Sequence, residues 1–306
     1  MTSPSEVIDA ARPLLLGADG GPQAGVALLR EAAARNDPQA ANLMATLCAS
    51  GAWTPRDWPA ALDFLALAAE LGSASAQGQL SLLTPEGGDW SARRAAIAME
   101  AWLTPPGRRP LCERPRVRVS EGFIPPSLCD WLVGLTHGRM QRAKMVEGYG
   151  GGARLTPNRT NSDFIFDIFS ADCILALVRE RISALVKLPI AAMEPPQIFH
   201  YAVGQELKAH VDYLQRGDRA EPGAYQGDRI ATVLVYLNDD FEGGETWFPR
   251  ADLKVKTAKG DALFFANVDG GGAPDPESLH AGLPPLRGEK WLLSQWIHDR
   301  PFGVGP

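Results

Sequence analysis

Two hydrophobic patterns divide the chain. Over roughly the first hundred residues alanine and leucine recur with few strand formers between them, as in AGVALLREAA from Ala24 and AALDFLALAA from Ala60, and this texture predicts helices. From about residue 197 onward, short apolar runs such as ATVLVY, ALFF and KWLLSQWI predict strands. Between these regions, VRVSEGFIPPSLCDWLVGLTHGRM reads as a strand, a turn and an amphipathic helix, and SADCILALVRERISALVKL as a further helix.

The helical part repeats itself. An offset of 36, from Ala24 to Ala60, sets Leu28 over Phe64, Leu29 over Leu65, Ala32 over Ala68, Ala33 over Ala69, Ala40 over Ala76 and Met44 over Leu80. Small residues recur where helices must approach closely. The pattern resembles a pair of short, alanine-rich tetratricopeptide-related repeats over roughly residues 5 to 103. Two repeats are few, because such units stabilise one another by stacking, so they are expected to pack on the helix SARRAAIAMEAWL or on the rest of the chain. Their role is either to dock a peptide or protein partner or to stabilise or dimerise the protein. The join TPPGRRPLCERPR, dense in proline, reads as a linker. The expected organisation is α+β in two domains: a helical repeat domain at 1–103, a linker at 104–116 and a second domain at 117–306. Helices ahead of many short apolar strands suit a double-stranded β-helix, or jelly roll, buttressed by helices.

Composition narrows the function. The 306 residues are 45% apolar and 22% charged, an ordinary globular balance with enough chain for two cores. A net charge of −6 argues against a general nucleic-acid binder. Cys48, Cys112, Cys129 and Cys173 show no CxxC spacing and read as free thiols in a reducing compartment. The N-terminal stretch lacks a basic start and a sustained apolar core, and no apolar run is long enough to span a membrane, so a cytoplasmic protein with no membrane partner is expected.

The chemistry sits in FHYAVGQELKAHVDY and, seventy residues later, SLHAGLPPLRGEKW. If residues 197 to 213 form one strand, its period of two points His210 and Asp212 to the same face. His280, ahead of the strand-like KWLLSQWI, is the best third ligand, and is expected beside the first strand in a closed sheet. Two histidines and one carboxylate suit a non-haem iron oxygenase, because such a set leaves three neighbouring coordination positions open for a bidentate co-substrate and dioxygen. A zinc hydrolase uses the same residue types, but there is no HExxH helix to supply ligands and a base together. Lys290 follows ten residues after His280, where an ammonium would meet the distal carboxylate of a dicarboxylic acid, and the Thr246 hydroxyl adds a donor there. The run GGGAP at 270–274 lacks the context of a phosphate loop.

These residues carry a family resemblance. From about Val117 to Phe302 the chain resembles the prolyl 4-hydroxylase branch of the Fe(II)- and 2-oxoglutarate-dependent dioxygenases, with YxxGQxxxxHxD, ATVLVYLND, GGETxFP, GDALFF and SLHAGxPxxxGEKW in order and a last strand ending in WI. The resemblance implies that His210, Asp212 and His280 hold Fe(II), that Lys290 binds the distal carboxylate of 2-oxoglutarate, that Tyr201 and Thr246 help to hold this co-substrate, and that Trp296 packs near it. It implies O2 as the second co-substrate, with ascorbate as a candidate reductant. It also suggests Glu194, Arg229 and His298 as groups on the side of a peptide substrate, and likens Arg159 to an arginine near the substrate channel. Leu207 departs from the family, which commonly has an aromatic residue there that helps to cradle the target proline.

From the residues alone, Arg229 is equally an ordinary strand-end charge, His298 a solvent-facing histidine, and Glu194 has little to mark it. The stretches EGYGGGARLTPNRTNSD and YLQRGDRAEPGAYQGDR are either lids over the substrate or ordinary surface loops. The expected function is hydroxylation of prolyl residues in a peptide or protein. The alternatives are hydroxylation of another side chain or a free amino acid, and a catalytically silent scaffold or sensor.

Overall fold

The computed structural model describes residues 6–84, 87–146, 153–213 and 228–302. They divide into two compact units, one of residues 1–104 with 167–181, the other of 105–166 with 182–306.

The first unit is helical: α1 (Glu6–Leu15), α2 (Gly21–Ala34), α3 (Pro38–Ser50), α4 (Trp58–Glu70), α5 (Ala74–Leu83), α6 (Trp90–Ala96) and α7 (Met99–Leu103). The sequence repeat is a structural one. Leu29 and Leu65, Ala33 and Ala69, Ala40 and Ala76, and Met44 and Leu80 are all fully buried, while Leu28 and Phe64 are both half-buried. Caps recur at the same offset: Asp37 accepts from Gln39 N and Ala40 N at the head of α3, and Ser73 accepts from Ala76 N at the head of α5. Alanine on the facing surfaces lets the helices approach closely.

The second unit holds the strands. Residues 104–116, expected as a linker, carry an edge strand, β1 (Arg109–Cys112), where Pro110 costs no ladder hydrogen bond that an interior strand would need. There follow β2 (Val117–Ser120), α8 (Pro126–Gly134), β3 (Gln141–Arg142), β4 (Met145–Val146), β5 (Ala153–Arg154), β6 (Ser162–Ile165) and α9 (Cys173–Val186), which belongs to the helical unit as far as Arg181. The remaining strands are β7 (Gln197–Tyr201), β8 (Leu207–His210), β9 (Arg229–Tyr236), β10 (Glu242–Gly243), β11 (Thr246–Phe248), β12 (Leu253–Val255), β13 (Ala262–Ala266), β14 (His280–Gly282), β15 (Pro285–Arg287) and β16 (Lys290–His298).

The expected jelly roll is corrected. Among the described residues the strands form an open eight-stranded sheet, β1-β2-β13-β9-β16-β7-β6-β3, and an open four-stranded sheet, β12-β11-β14-β8, besides two two-stranded ribbons. No ladder closes them into a barrel. At β8 the reason is visible: Lys208 N donates to Asn158 O and Thr160 N donates to Glu206 O, so an irregular segment, not another strand, takes up its outer edge. Side chains join the sheets instead. Leu207, Phe248 and Val255 from the small sheet share one buried cluster with Phe199, Tyr201, Leu234, Tyr236, Phe265, Leu292 and Trp296 from the large one. Of the two expected lid loops, residues 147–152 and 214–227 lie outside the described residues.

Candidate metal and co-substrate site

The stretch 197–213 is not one strand. β7 ends at Tyr201, a turn follows in which Gly204 has φ 78° and the Gln205 side chain accepts from Ala202 N, and β8 begins at Leu207. His210 ends β8 and Asp212 lies beyond it, yet both reach one place. His280, the first residue of β14, is the Cα partner of His210 across the ladder. Asp212 Oδ1 lies 3.4 Å from His210 Nε2 and Asp212 Oδ2 3.7 Å from His280 Nε2. One ligand atom from each residue falls within 4.8 Å of the others, a group that could hold a metal ion.

Second contacts aim these groups. His210 Nδ1 faces Lys208 O at 2.9 Å and His280 Nδ1 faces Ser278 O at 3.0 Å. A carbonyl only accepts, so both Nδ1 atoms carry the hydrogen and both Nε2 atoms keep a lone pair for a metal. The His280 ring packs against the edge-to-face pair Phe265 and Phe248, with centroids 4.6 and 5.8 Å away, and burial pushes its pKa down to about 4. Burial would raise the Asp212 carboxyl, but the two histidines outweigh it and hold Asp212 well below the usual carboxylate range. The set is therefore a carboxylate with two imidazole nitrogens turned toward it, which fits Fe(II).

The triad opens on a recess between the sheets. Strand period places Lys290, Leu292, Ser294 and Trp296 of β16 along one wall, with Tyr201 beside Lys290 on the neighbouring β7, and Leu207 and Thr246 of the small sheet also line the recess. Lys290 is fully buried, and its Nζ has no hydrogen-bond partner among the described residues. It lies 5.2 Å from the Tyr201 ring centroid and 5.5 Å from that of Tyr236, and burial pulls its pKa down to about 7. A partnerless ammonium in a closed, aromatic-walled end calls for an anion, and the distal carboxylate of 2-oxoglutarate meets that need. Gly282 keeps this wall open, since a Cβ there would come within 3.2 Å of the Tyr201 hydroxyl. Thr246 Oγ1 sits 3.0 Å from the Tyr236 hydroxyl, which also donates to Val255 O.

The residues expected on the substrate side form a separate group. Glu194 pairs with Arg229, whose Nη2 donates to Oε2 at 3.0 Å, and accepts from His298 Nε2 at 2.6 Å. Burial opposes the Glu194 charge, but these two partners win and lower its pKa. His298 is buried, not solvent-facing, and Arg229 is not an isolated strand-end charge. The group touches the recess through Trp296, over whose ring the Arg229 guanidinium lies at 3.8 Å. Arg159 is buried behind two lining residues, Phe199 and Leu207, without itself lining the recess. It donates to Asn161 Oδ1, Lys144 O and Asp163 Oδ2, and covers the Phe199 ring at 4.7 Å. Sequence reading missed Thr232, which donates to Asp212 Oδ2 at 2.6 Å, and Ser294. The signal was a small hydroxyl residue inside each of two largely buried central strands.

Comparison with known proteins agrees with this geometry. Residues 196–298 match the 2OG-Fe(II) oxygenase superfamily. Probable prolyl 4-hydroxylase 6 of Arabidopsis thaliana is 35% identical over 207 residues, covering 62% of this chain and 71% of that protein. Prolyl 4-hydroxylase 2 of the same plant is 33% identical over 221 residues, covering 65% and 73%. Among solved structures, the viral collagen prolyl hydroxylase of Paramecium bursaria Chlorella virus-1, in its 2OG complex, is 26% identical with a TM-score of 0.47, covering 62% of this chain and 99% of that one. A helical region ahead of a sheet domain, two histidines converging with Asp212, and the two plant relatives place the chain in the prolyl-4-hydroxylase-like branch of the Fe(II)- and 2-oxoglutarate-dependent dioxygenases.

Proposed function

We propose that this dioxygenase hydroxylates prolyl residues of a peptide or protein. The observation that carries the underlying chemistry is the placing of a metal-binding triad and the partnerless Lys290 ammonium in one recess. In this reading His210, Asp212 and His280 hold the iron through Nε2, a carboxylate oxygen and Nε2. Lys290 takes the distal carboxylate of 2-oxoglutarate, with the Thr246 and Tyr201 hydroxyls beside it. When bound, the metal and co-substrate supply the oxidation, in which O2 converts 2-oxoglutarate to succinate and carbon dioxide and gives its second oxygen atom to the substrate as a hydroxyl.

The protein's own contribution is position and dryness. Phe199, Leu234, Leu292 and the ring of Trp296 are apolar walls that exclude water from the reacting centre. Arg229, held by Glu194 and braced on Trp296, is a donor fixed in place for a peptide carbonyl near the recess. The preference for proline rests on the plant relatives, whose names give that activity to them. Leu207, which lines the recess, supports a second reading in which another side chain is the target. The helical unit is a candidate for docking a protein substrate.

Two measurements test this. Anaerobic addition of Fe(II) and 2-oxoglutarate to metal-free protein should give a saturable visible charge-transfer band that weakens in Asp212→Ala and Lys290→Ala. A panel of proline-containing peptides and free amino acids, read for the mass gain of one oxygen, then assigns the substrate. Turnover of free amino acids with no peptide modified would overturn the prolyl-peptide reading; no band in folded protein would overturn the chemistry.

A further inference from the structure

Asp212 is held by a buried pair of residues that the proposed chemistry does not use. Thr232 is 1% exposed in β9, and its hydroxyl donates to Asp212 Oδ2 at 2.6 Å. Asn267 is fully buried one residue past β13, and its Nδ2 donates to Thr232 Oγ1 at 3.0 Å. A hydroxyl has one hydrogen. With an amide hydrogen arriving from Asn267, the Thr232 hydrogen is directed at the carboxylate. The opposite amide orientation would present Asn267 Oδ1 to Thr232, where it would compete with Asp212 for that hydrogen. Orientation of an amide is assigned from its network, and here the network allows one answer. Asn267 Oδ1 has no hydrogen-bond partner among the described residues, so Thr232, not the needs of its own oxygen, orients the amide.

The main chain of Asn267 serves the other arm of the centre. Its N–H donates to Ile230 O and its carbonyl accepts from Asp275 N. Asp275 O in turn accepts from the Ser278 hydroxyl at 2.7 Å, and Ser278 O is the acceptor that fixes His280 Nδ1. One residue therefore stands behind two of the three ligands, through its side chain for Asp212 and through its backbone for His280.

We propose that Asn267 is a positioning residue of the metal centre, acting through Thr232 to hold the Asp212 carboxylate in one orientation with Oδ2 engaged and Oδ1 free to ligate. A carboxylate held in this way offers the metal one oxygen and preserves the open positions that two co-substrates need. The inference rests on the metal reading above and adds a residue that neither contacts the recess nor ligates.

The test uses the full-length protein, freed of metal and titrated with Co(II), whose visible bands report both affinity and coordination. Asn267→Leu should raise the Co(II) dissociation constant by about tenfold or more. Asn267→Asp, nearly identical in shape, should do the same, because the new carboxylate takes the Thr232 hydrogen, and it carries the test if the leucine variant does not fold. In a Thr232→Val background Asn267→Leu should change the constant less than about twofold, since the path to Asp212 is already cut. Unchanged Co(II) affinity and bands in both Asn267 variants would overturn the proposal. So would the same loss with and without the Thr232 hydroxyl, which would mark a general structural effect. Failure of the parent protein to bind Co(II) would remove the metal reading itself and this inference with it, and is distinguishable because it precedes any substitution.

Discussion

His210 and His280 face each other across the β8–β14 ladder, and each gives its Nδ1 hydrogen to the carbonyl two residues before it, Lys208 for one and Ser278 for the other. The pairing puts two Nε2 lone pairs on one point with their tautomers fixed by backbone, and the ring centroids are 4.3 Å apart. Ligation should therefore depend on Nε2 specifically. His280→Ala is expected to abolish substrate-coupled hydroxylation and to weaken metal binding at least about tenfold, with the fold kept. Circular dichroism and metal titration on the same sample check this; hydroxylation retained in metal-repleted protein would remove His280 from the ligand set.

Lys290 makes co-substrate affinity depend on pH. Its pKa lies at about 7 in the ligand-free protein because burial opposes the charge, and a bound carboxylate must raise it. The charged form binds, so affinity is full below about pH 7 and falls by roughly tenfold per pH unit above it, until the pKa of the bound state is reached. Calorimetry of 2-oxoglutarate binding between about pH 6 and 9 in buffers of different ionisation enthalpy should show this slope with proton uptake. A flat profile would contradict it.

The same lysine should trade stability for binding. A buried ammonium with no hydrogen-bond partner costs the fold, so Lys290→Met is expected to stabilise the ligand-free protein by about 1–4 kcal/mol. It should also weaken 2-oxoglutarate binding roughly 10–100-fold, the worth of one hydrogen bond to a charged group. Thermal melts and binding titrations should move in opposite directions; a variant with a lower melting temperature would show that Lys290 has a supporting contact.

The sequence was most legible where chemistry constrains spacing. HxD, the distal His280 and Lys290 could be picked out because a metal and a dicarboxylate need those groups in that order. The helical repeat was legible because the buried positions Ala33 and Ala69, or Met44 and Leu80, recur at one offset. What stayed hidden was pairing at a distance. The break at Ala202–Glu206 falls inside an apparently continuous strand pattern, and the open edge of β8 depends on where residues 158–160 lie in space. His298 reads as exposed by its place at a strand end, while it is buried with its Nε2 on Glu194, a residue 104 positions away.

Glu194 should link stability to acid. Its folded pKa is depressed below 4.5 by His298 and Arg229, so its contribution is complete above the unfolded value and is lost as pH falls through the folded one. Melting temperatures between about pH 6 and pH 3 should drop less steeply in Glu194→Gln than in the parent, which an identical slope would refute. Arg229→Leu leaves this buried carboxylate with only part of its partners and should cost about 3 kcal/mol at neutral pH, as well as raising KM for a peptide without changing 2-oxoglutarate binding.

Cutting the chain at its apparent domain boundary should not yield a stable oxygenase fragment. Residues 167–181 belong to the helical unit although they lie within the later part of the chain. Gln79 Oε1 accepts from Cys173 N at 3.0 Å, the Trp58 indole donates to Glu180 at 2.9 Å, Arg56 pairs with Glu180 at 2.8 Å, and Arg12 covers the Phe169 ring at 3.9 Å. Each contact disappears when residues 1–104 are removed, and Ile174, Leu175, Leu177 and Val178, all now buried, lose helical partners. Burial of a large aliphatic side chain is worth roughly 1.5–3 kcal/mol, so losing even part of it from several residues rivals a domain's net stability of about 5–15 kcal/mol. The fragment 105–306 is therefore expected to aggregate or to melt far below the full chain, and to lose the 2-oxoglutarate band through unfolding. A soluble fragment with a cooperative melt and an unaltered band would show instead that the helices are dispensable for the fold, and would leave substrate docking as the role to test for them.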